Sequence, residues 1–201
     1  MTPNRFYKTL NICGILNPEF RFLELGTSNG SAYNSLEFTE KYTVDIKKPE
    51  STLGNNKSFE MSTDEFFESV DIGGFDLIFI DADHDAPQVI KDYNSSVNLL
   101  NEGGIIVLHD CYPPSEEYCE RRFCSDSYKI LSCLIDLGYE VFYTKEDFGL
   151  TIVFNPRKIK TADVDFRLSY LDFVEKTNKI QKNNIPYEDL LYLIIKKMKE
   201  K

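Results

Sequence analysis

The chain of 201 residues has no apolar run near the roughly 18 residues that a helical membrane crossing requires, so it is expected to leave membranes alone. Its opening stretch, MTPNRFYKTLNICGIL, lacks the continuous apolar segment and small-residue cleavage site of a secretory signal. Positive charge is scarce. Twenty-three Lys and Arg face 33 Asp and Glu, giving a formal net charge of −10. Such a chain repels phosphate backbones, which excludes bulk nucleic-acid binding. The Lys-rich end (Lys196, Lys197, Lys199, Lys201) reads as a solvated helix end. Zinc spacing is also missing. Four of the five cysteines, Cys111, Cys119, Cys124 and Cys133, fall in one stretch but form no C-x-x-C pair. An odd count of unpatterned thiols suits a reduced, cytoplasmic protein. There is no internal repeat and no low-complexity tract. What remains is 42% hydrophobic and 28% charged, the balance of a soluble globular domain.

From Arg21 to about Asn155, short β-rich runs alternate with helix-like segments. Strands are predicted at Phe20–Leu25, Tyr42–Ile46, Lys57–Met61, Phe75–Asp81, Ile105–Leu108, Tyr139–Tyr143 and Leu150–Phe154. Helices are predicted from Ser31 and over Glu65–Val70, Val89–Leu100 and Tyr128–Leu137. A polar loop rich in Pro, Gly and Asn follows the second strand. Ser62 and Glu65 have the spacing of a capping box. The run Phe75–Asp81 (FDLIFID) is nearly all apolar, as suits a parallel strand buried on both faces. The pattern implies an α/β fold: a Rossmann-like, open, mostly parallel seven-stranded sheet with helices on both faces and a terminal antiparallel hairpin. Residues 1–155 would form this domain. Residues 156–201 carry two amphipathic stretches, Phe166–Ile180 and Pro186–Lys199. These would pack on the domain or on a partner chain, in the latter case making a homo-oligomer.

Two regions carry chemistry. The first is Phe22-Leu-Glu24-Leu-Gly26-Thr-Ser28-Asn-Gly30, a strand running into a glycine turn that opens a helix. A dinucleotide fingerprint needs G-x-G-x-x-G. Here the spacing is G-x-x-x-G, with Ser28 where a middle glycine would fall. Glu24 would repel a diphosphate and attract a cation. Asp45, ending the second strand, is placed to accept both hydroxyls of a ribose. A nucleoside without a diphosphate and with a positive charge fits, and S-adenosylmethionine has both properties. The second region is Asp81-Ala-Asp83-His84 together with His109-Asp110, at the ends of two buried strands. Ligands bind at that edge of an open α/β sheet. Two carboxylates facing one crevice favour a cation such as Mg²⁺, or Mn²⁺ if an imidazole joins them. Both histidines of the chain lie here.

These motifs resemble the class I S-adenosylmethionine-dependent methyltransferases, in particular cation-dependent small-molecule and sugar O-methyltransferases with a D-x-x-H motif. The resemblance covers about residues 20 to 155. It implies that Glu24, Gly26, Ser28, Gly30, Asp45 and Asp81 contribute to the cofactor site, with Asp45 on the ribose. It places Ser62, Thr63 and Asp64 toward the adenine. It makes Asp81, His109 and Asp110 the metal site and His84 the general base. The residue before Asp110 is Glu in the clearest metal-dependent members and His109 here. Imidazole adds no negative charge, so Mg²⁺ affinity falls. The implied reaction moves a methyl group to a hydroxyl of a small acceptor (sugar, phenol or natural product). A metal-independent methyltransferase, a non-catalytic cofactor-binding domain and a nicotinamide-dependent oxidoreductase are the alternatives.

Overall fold

A computed structural model of the protein describes residues 5–47 and 57–199. Most of the polar loop after the second strand, and Lys201 of the Lys-rich end, lie outside these residues. The first element, α1 (Arg5–Leu16), was not anticipated from the sequence. Then come β1 (Arg21–Leu25), α2 (Ser31–Asn34), β2 (Glu40–Asp45), β3 (Lys57–Glu60), α3 (Thr63–Ser69) and β4 (Phe75–Ile80). The remainder is α4 (Ala86–Leu99), β5 (Leu100–Leu108), α5 (Tyr128–Asp136), β6 (Glu140–Tyr143), β7 (Thr151–Phe154), α6 (Tyr170–Lys179) and α7 (Tyr187–Lys199).

The seven strands form one sheet in the order β3-β2-β1-β4-β5-β7-β6. Strands β1 to β5 pair in parallel. Strand β7 runs antiparallel to both β5 and β6, as the predicted hairpin requires. The α/β class and the mostly parallel sheet therefore stand.

Alternation along the central strands divides the core into two layers. On one face Leu23, Leu25, Ile78, Ile80 and Ile106 pack with Phe66 of α3, Ile90 of α4, Leu131 of α5 and Phe173 of α6. On the other, Phe22, Leu77, Phe79, Ile105 and Val107 pack with Leu10 of α1, Tyr33 of α2, and Leu190 and Ile194 of α7. Burial on both faces explains why β4 reads as a nearly continuous apolar run. The two tail helices thus join opposite faces of the chain's own sheet. Between them, Asn183 Nδ2 donates to the Val141 carbonyl at 2.6 Å and the Ile185 N–H to the Tyr143 carbonyl at 3.0 Å. These bonds occupy the outer edge of β6, which would otherwise offer an unpaired ladder.

Two boundaries differ from expectation. The helix from Ser31 ends after one turn. The buried Lys41 ammonium bonds the carbonyls of Tyr33 and Leu36 at 2.7 and 2.9 Å, taking acceptors that further helix N–H groups would need. Strand β5 begins at Leu100 rather than Ile105. Phe75 pairs with Leu100 and Leu77 with Ile105, so the intervening residues bulge. Gly103 permits this with a left-handed φ of 72°.

Candidate active site

Strand order reverses between β1 and β4, and the crevice at such a reversal is where open α/β sheets bind ligands. A cavity of about 830 Å³ opens there. Its first wall grows from the end of β1. Gly26 has φ 84°, and a side-chain carbon added to it would lie 2.1 Å from the Asp81 carbonyl oxygen. Only glycine lets the turn pass this close to β4. Asp45 fastens the same turn: its Oδ2 accepts the Thr27 and Ser28 N–H groups, each at 2.8 Å. Its Oδ1 accepts from the Lys47 N–H at 3.0 Å. Ser28 takes the left-handed conformation, φ 52°, at the position where a middle glycine would stand.

Gly26, Ser28 and Asp45 line the cavity, whereas Glu24 and Gly30 do not. Gly30 is buried behind the turn, its N–H bonded to the Thr27 carbonyl. Glu24 is buried within β1, and its Oε2 has no hydrogen-bond partner. Burial, with the charge of Asp81 nearby, pushes its pKa well above the carboxylate range.

The far end of this wall comes from α3. Ser62 caps the helix, accepting the Glu65 N–H at 3.2 Å while Glu65 accepts the Ser62 N–H at 2.9 Å. The cap holds Ser62, Thr63 and Asp64 at the cavity. Gln88, which sequence reasoning missed, ties them to α4. Its amide nitrogen donates to Thr63 Oγ1 at 3.2 Å, Asp64 Oδ1 at 2.9 Å and Asp92 Oδ1 at 3.0 Å. The signal was available: Gln88 follows Pro87 in the first turn of a helix entering from the sheet's carboxyl edge.

Side chains at the ends of β4 and β5 make the opposite wall. His84 Nε2 lies 3.5 Å from Asp81 Oδ1 and 3.3 Å from Asp110 Oδ2. Its Nδ1 bonds the Phe123 carbonyl. His109 Nδ1 is 3.3 Å from both Asp81 Oδ1 and Asp110 Oδ1. Asp110 adopts φ 59°, and its own carbonyl accepts from Ser127 Oγ at 2.5 Å. The two carboxylates and two imidazoles are thus one charge network, although Asp81 and Asp110 stand far apart in sequence. Burial pulls the His84 pKa down. Its bond to Asp81, the charge of Asp110 and the Phe123 carbonyl outweigh that and hold it up at about 9. For His109, burial is likewise outweighed by Asp81 and Asp110, and its pKa also rises to about 9. Burial alone would raise Asp81, but the two histidines hold it below the usual value.

Asp81, His84 and Asp110 each offer a ligand atom, all within 4.8 Å of one another, close enough to share a cation. His109 stands beside them with its ring against Phe6, 4.3 Å between centroids. Phe6 and Tyr7, from the unanticipated α1, also line the cavity, as do Arg121, Arg122, Phe123 and Phe148. No motif marked Phe6, Tyr7, Arg121, Arg122 or Phe123, and Phe148 lies in the Asp147-Phe148-Gly149 segment, whose likeness to the D-x-x-H methyltransferases pointed to architecture rather than to a site.

Residues 23–111 match a protein family described as a methyltransferase domain. Within that stretch the chain is similar to a methyltransferase domain. No curated protein sequence shows significant similarity to it. Solved structures similar to the chain include the S-adenosylhomocysteine-bound Podospora anserina methyltransferase PaMTH1. That protein is 19% identical, with a TM-score of 0.58, over 76% of this chain and 79% of the other. An O-methyltransferase from Bacillus cereus, in complex with S-adenosylhomocysteine, is 16% identical with a TM-score of 0.54, over 77% and 82%. The N-methyltransferase NodS from Bradyrhizobium japonicum is 15% identical with a TM-score of 0.52, over 76% and 95%. At such identities the likeness concerns the fold, and it spans enzymes named for different acceptor atoms. Among the described residues no helix is long and apolar enough to cross a membrane.

Proposed function

We propose that the protein transfers the methyl group of S-adenosylmethionine to a hydroxyl of a small molecule, with His84 as general base. One observation carries this reading: the Gly26 turn with Asp45 and the His84 network face each other across a single cavity. The first wall suits a nucleoside. Asp45 keeps acceptor capacity on Oδ1 for one ribose hydroxyl, and Ser62, Thr63 and Asp64 line the end of the cavity proposed for the adenine. The second wall suits proton removal beside the methyl group.

Methyl transfer is an in-line displacement whose leaving group departs as a neutral thioether. The protein must align the acceptor and remove its proton. Alignment alone can supply on the order of 7–11 kcal/mol. The Phe123 carbonyl fixes Nδ1 of His84 as the N–H side, so Nε2 is the atom that takes the proton. Asp81 and Asp110, whose carboxylate oxygens stand together with His84 Nε2, would hold Mg²⁺ or Mn²⁺, and His109, paired with both carboxylates through Nδ1, stands outside that group. When held there, such a cation would supply Lewis acidity to the acceptor hydroxyl, and the two carboxylates it occupied would no longer hold His84 in its protonated form. His84 Nε2 has a single lone pair, so its service as base excludes service as ligand.

A metal-independent reading draws on one specific observation. His84 Nε2 already lies between the two carboxylates, where its own imidazolium supplies positive charge. Thermal unfolding with S-adenosylhomocysteine tests the cofactor. At about 100 times its dissociation constant the ligand stabilises by ~2.7 kcal/mol, a rise of several degrees in Tm. No rise at millimolar ligand would sink the methyltransferase assignment. Turnover retained in excess EDTA selects the metal-independent route, and loss restored by Mg²⁺ or Mn²⁺ selects the cation-assisted one.

A further inference from the structure

The second wall ends in a feature that neither the cofactor nor the proton transfer uses. Arg121 and Arg122 stand at the cavity rim, and apart from the histidines they are the cationic side chains lining it among the described residues. In a chain of net charge −10, with Asp45, Asp64, Asp81, Asp83, Asp110 and Asp147 also on the cavity, two adjacent guanidinium groups gather positive charge at one place on the wall. Their present partners are weak. Arg121 pairs through Nε with Asp85 at 3.4 Å, and Arg122 through Nε with Glu120 at 2.9 Å. Both arginines are mostly exposed, where such pairs are worth little and exchange readily for a better anion.

The segment that carries them is not a loose loop. It is bonded to the catalytic wall at four places. Phe123 holds His84, and Ser125 Oγ donates to Asp85 Oδ1 at 2.7 Å. The Ala86 N–H donates to Asp126 Oδ1 at 2.6 Å, and Ser127 Oγ to the Asp110 carbonyl. The guanidinium groups therefore ride on the same frame as the base. Between them and His84 lies an aromatic surface: Phe123, 38% exposed, with Tyr118 packed on both Phe123 and Phe148.

The geometry points to an acceptor that carries an anionic group, a carboxylate or a phosphate ester, held by Arg121 and Arg122 while its hydroxyl meets His84. This rests on the methyltransferase reading above and adds the substrate class. Arginine forks suit both anions, and charge-assisted bonds to them are roughly twice as strong as neutral ones.

The test is calorimetric titration of the full-length protein, saturated with S-adenosylhomocysteine, at physiological salt. The probes are three matched pairs: 3,4-dihydroxybenzoate and its methyl ester, hydroquinone monophosphate and hydroquinone, glucose 6-phosphate and glucose. In at least one pair the anionic member should bind about tenfold more tightly or better, as for one strong charge-assisted contact. The pair that shows it distinguishes carboxylate from phosphate. The double variant Arg121→Gln, Arg122→Gln should erase the preference and leave S-adenosylhomocysteine affinity unchanged. Equal binding within every pair, preference for the neutral members, or no binding by any anionic member overturns the inference. So does a preference that survives the double variant. Failure of the wild-type protein to bind S-adenosylhomocysteine overturns the methyltransferase reading itself, and this inference with it.

Discussion

The two walls of the cavity are built by different means. Beside β1 and β2 the wall is mostly backbone: a glycine turn, a left-handed Ser28 and two N–H groups gathered by Asp45. Beside β4 and β5 it is mostly side chain: two carboxylates and two imidazoles that hold one another's charge. Geometry dominates the first wall, so small changes in shape should matter there. Electrostatics dominates the second, so proton and ion occupancy should matter there. A backbone turn is pre-formed and suits the constant part of the proposed reaction. A coupled charge network responds to what enters it.

The largest effect should come from removing the proposed base. His84→Ala is expected to lower turnover by roughly 10²–10⁴-fold while S-adenosylhomocysteine affinity holds, compared by initial rates and calorimetry. Wild-type turnover in that variant would end the division of labour between the walls. Next comes pH. Both histidines have folded pKa values near 9, above the ordinary 6.5. Their contribution to stability is therefore full below pH 6.5 and lost as pH rises through 9. Denaturant melts in EDTA should show that decline, and a flat profile would mean the network is not coupled as described.

On the backbone wall, Gly26→Ala should destabilise by roughly 1–3 kcal/mol from its left-handed φ alone, with the clash against the Asp81 carbonyl added. A chemical denaturation curve that matches the wild type would show that the turn is not tightly constrained. Asp45→Ala should weaken S-adenosylhomocysteine binding by roughly 1–3 kcal/mol, because it frees two loop N–H groups and removes the proposed ribose acceptor. Unchanged affinity would move the ribose elsewhere. The smallest effect is Ser62→Ala, about 1 kcal/mol of stability through the lost cap, read as a modest fall in Tm.

Much of the sheet was legible because parallel strands buried on both faces leave nearly continuous apolar runs, as Phe75–Ile80 does with Asp76 its one polar residue. The capping box at Ser62 was legible because it is local, needing only two residues three apart. Helix α1 was not. Its residues are buried by packing on α7 and the sheet, through long-range contacts that local pattern does not encode. Glu24 and Gly30 belong to the glycine motif by spacing, yet the structure sets both away from the cavity wall. Motif membership records the turn, whereas exposure depends on how β1 packs. Gln88, Arg121 and Arg122 reach the cavity from segments whose place depends on hydrogen bonds to distant residues.

By itself the sequence determined the class of fold, the glycine turn after β1, and the acidic and histidine residues at the ends of β4 and β5. These are properties of short segments, set by periodicity and by backbone conformations that few residues tolerate. Only the tertiary structure decided that Asp81, His84, His109 and Asp110 share one network and that α1 walls the cavity. It alone placed two arginines at the rim. Those outcomes follow from strand order and side-chain packing, which bring together residues that the chain keeps far apart.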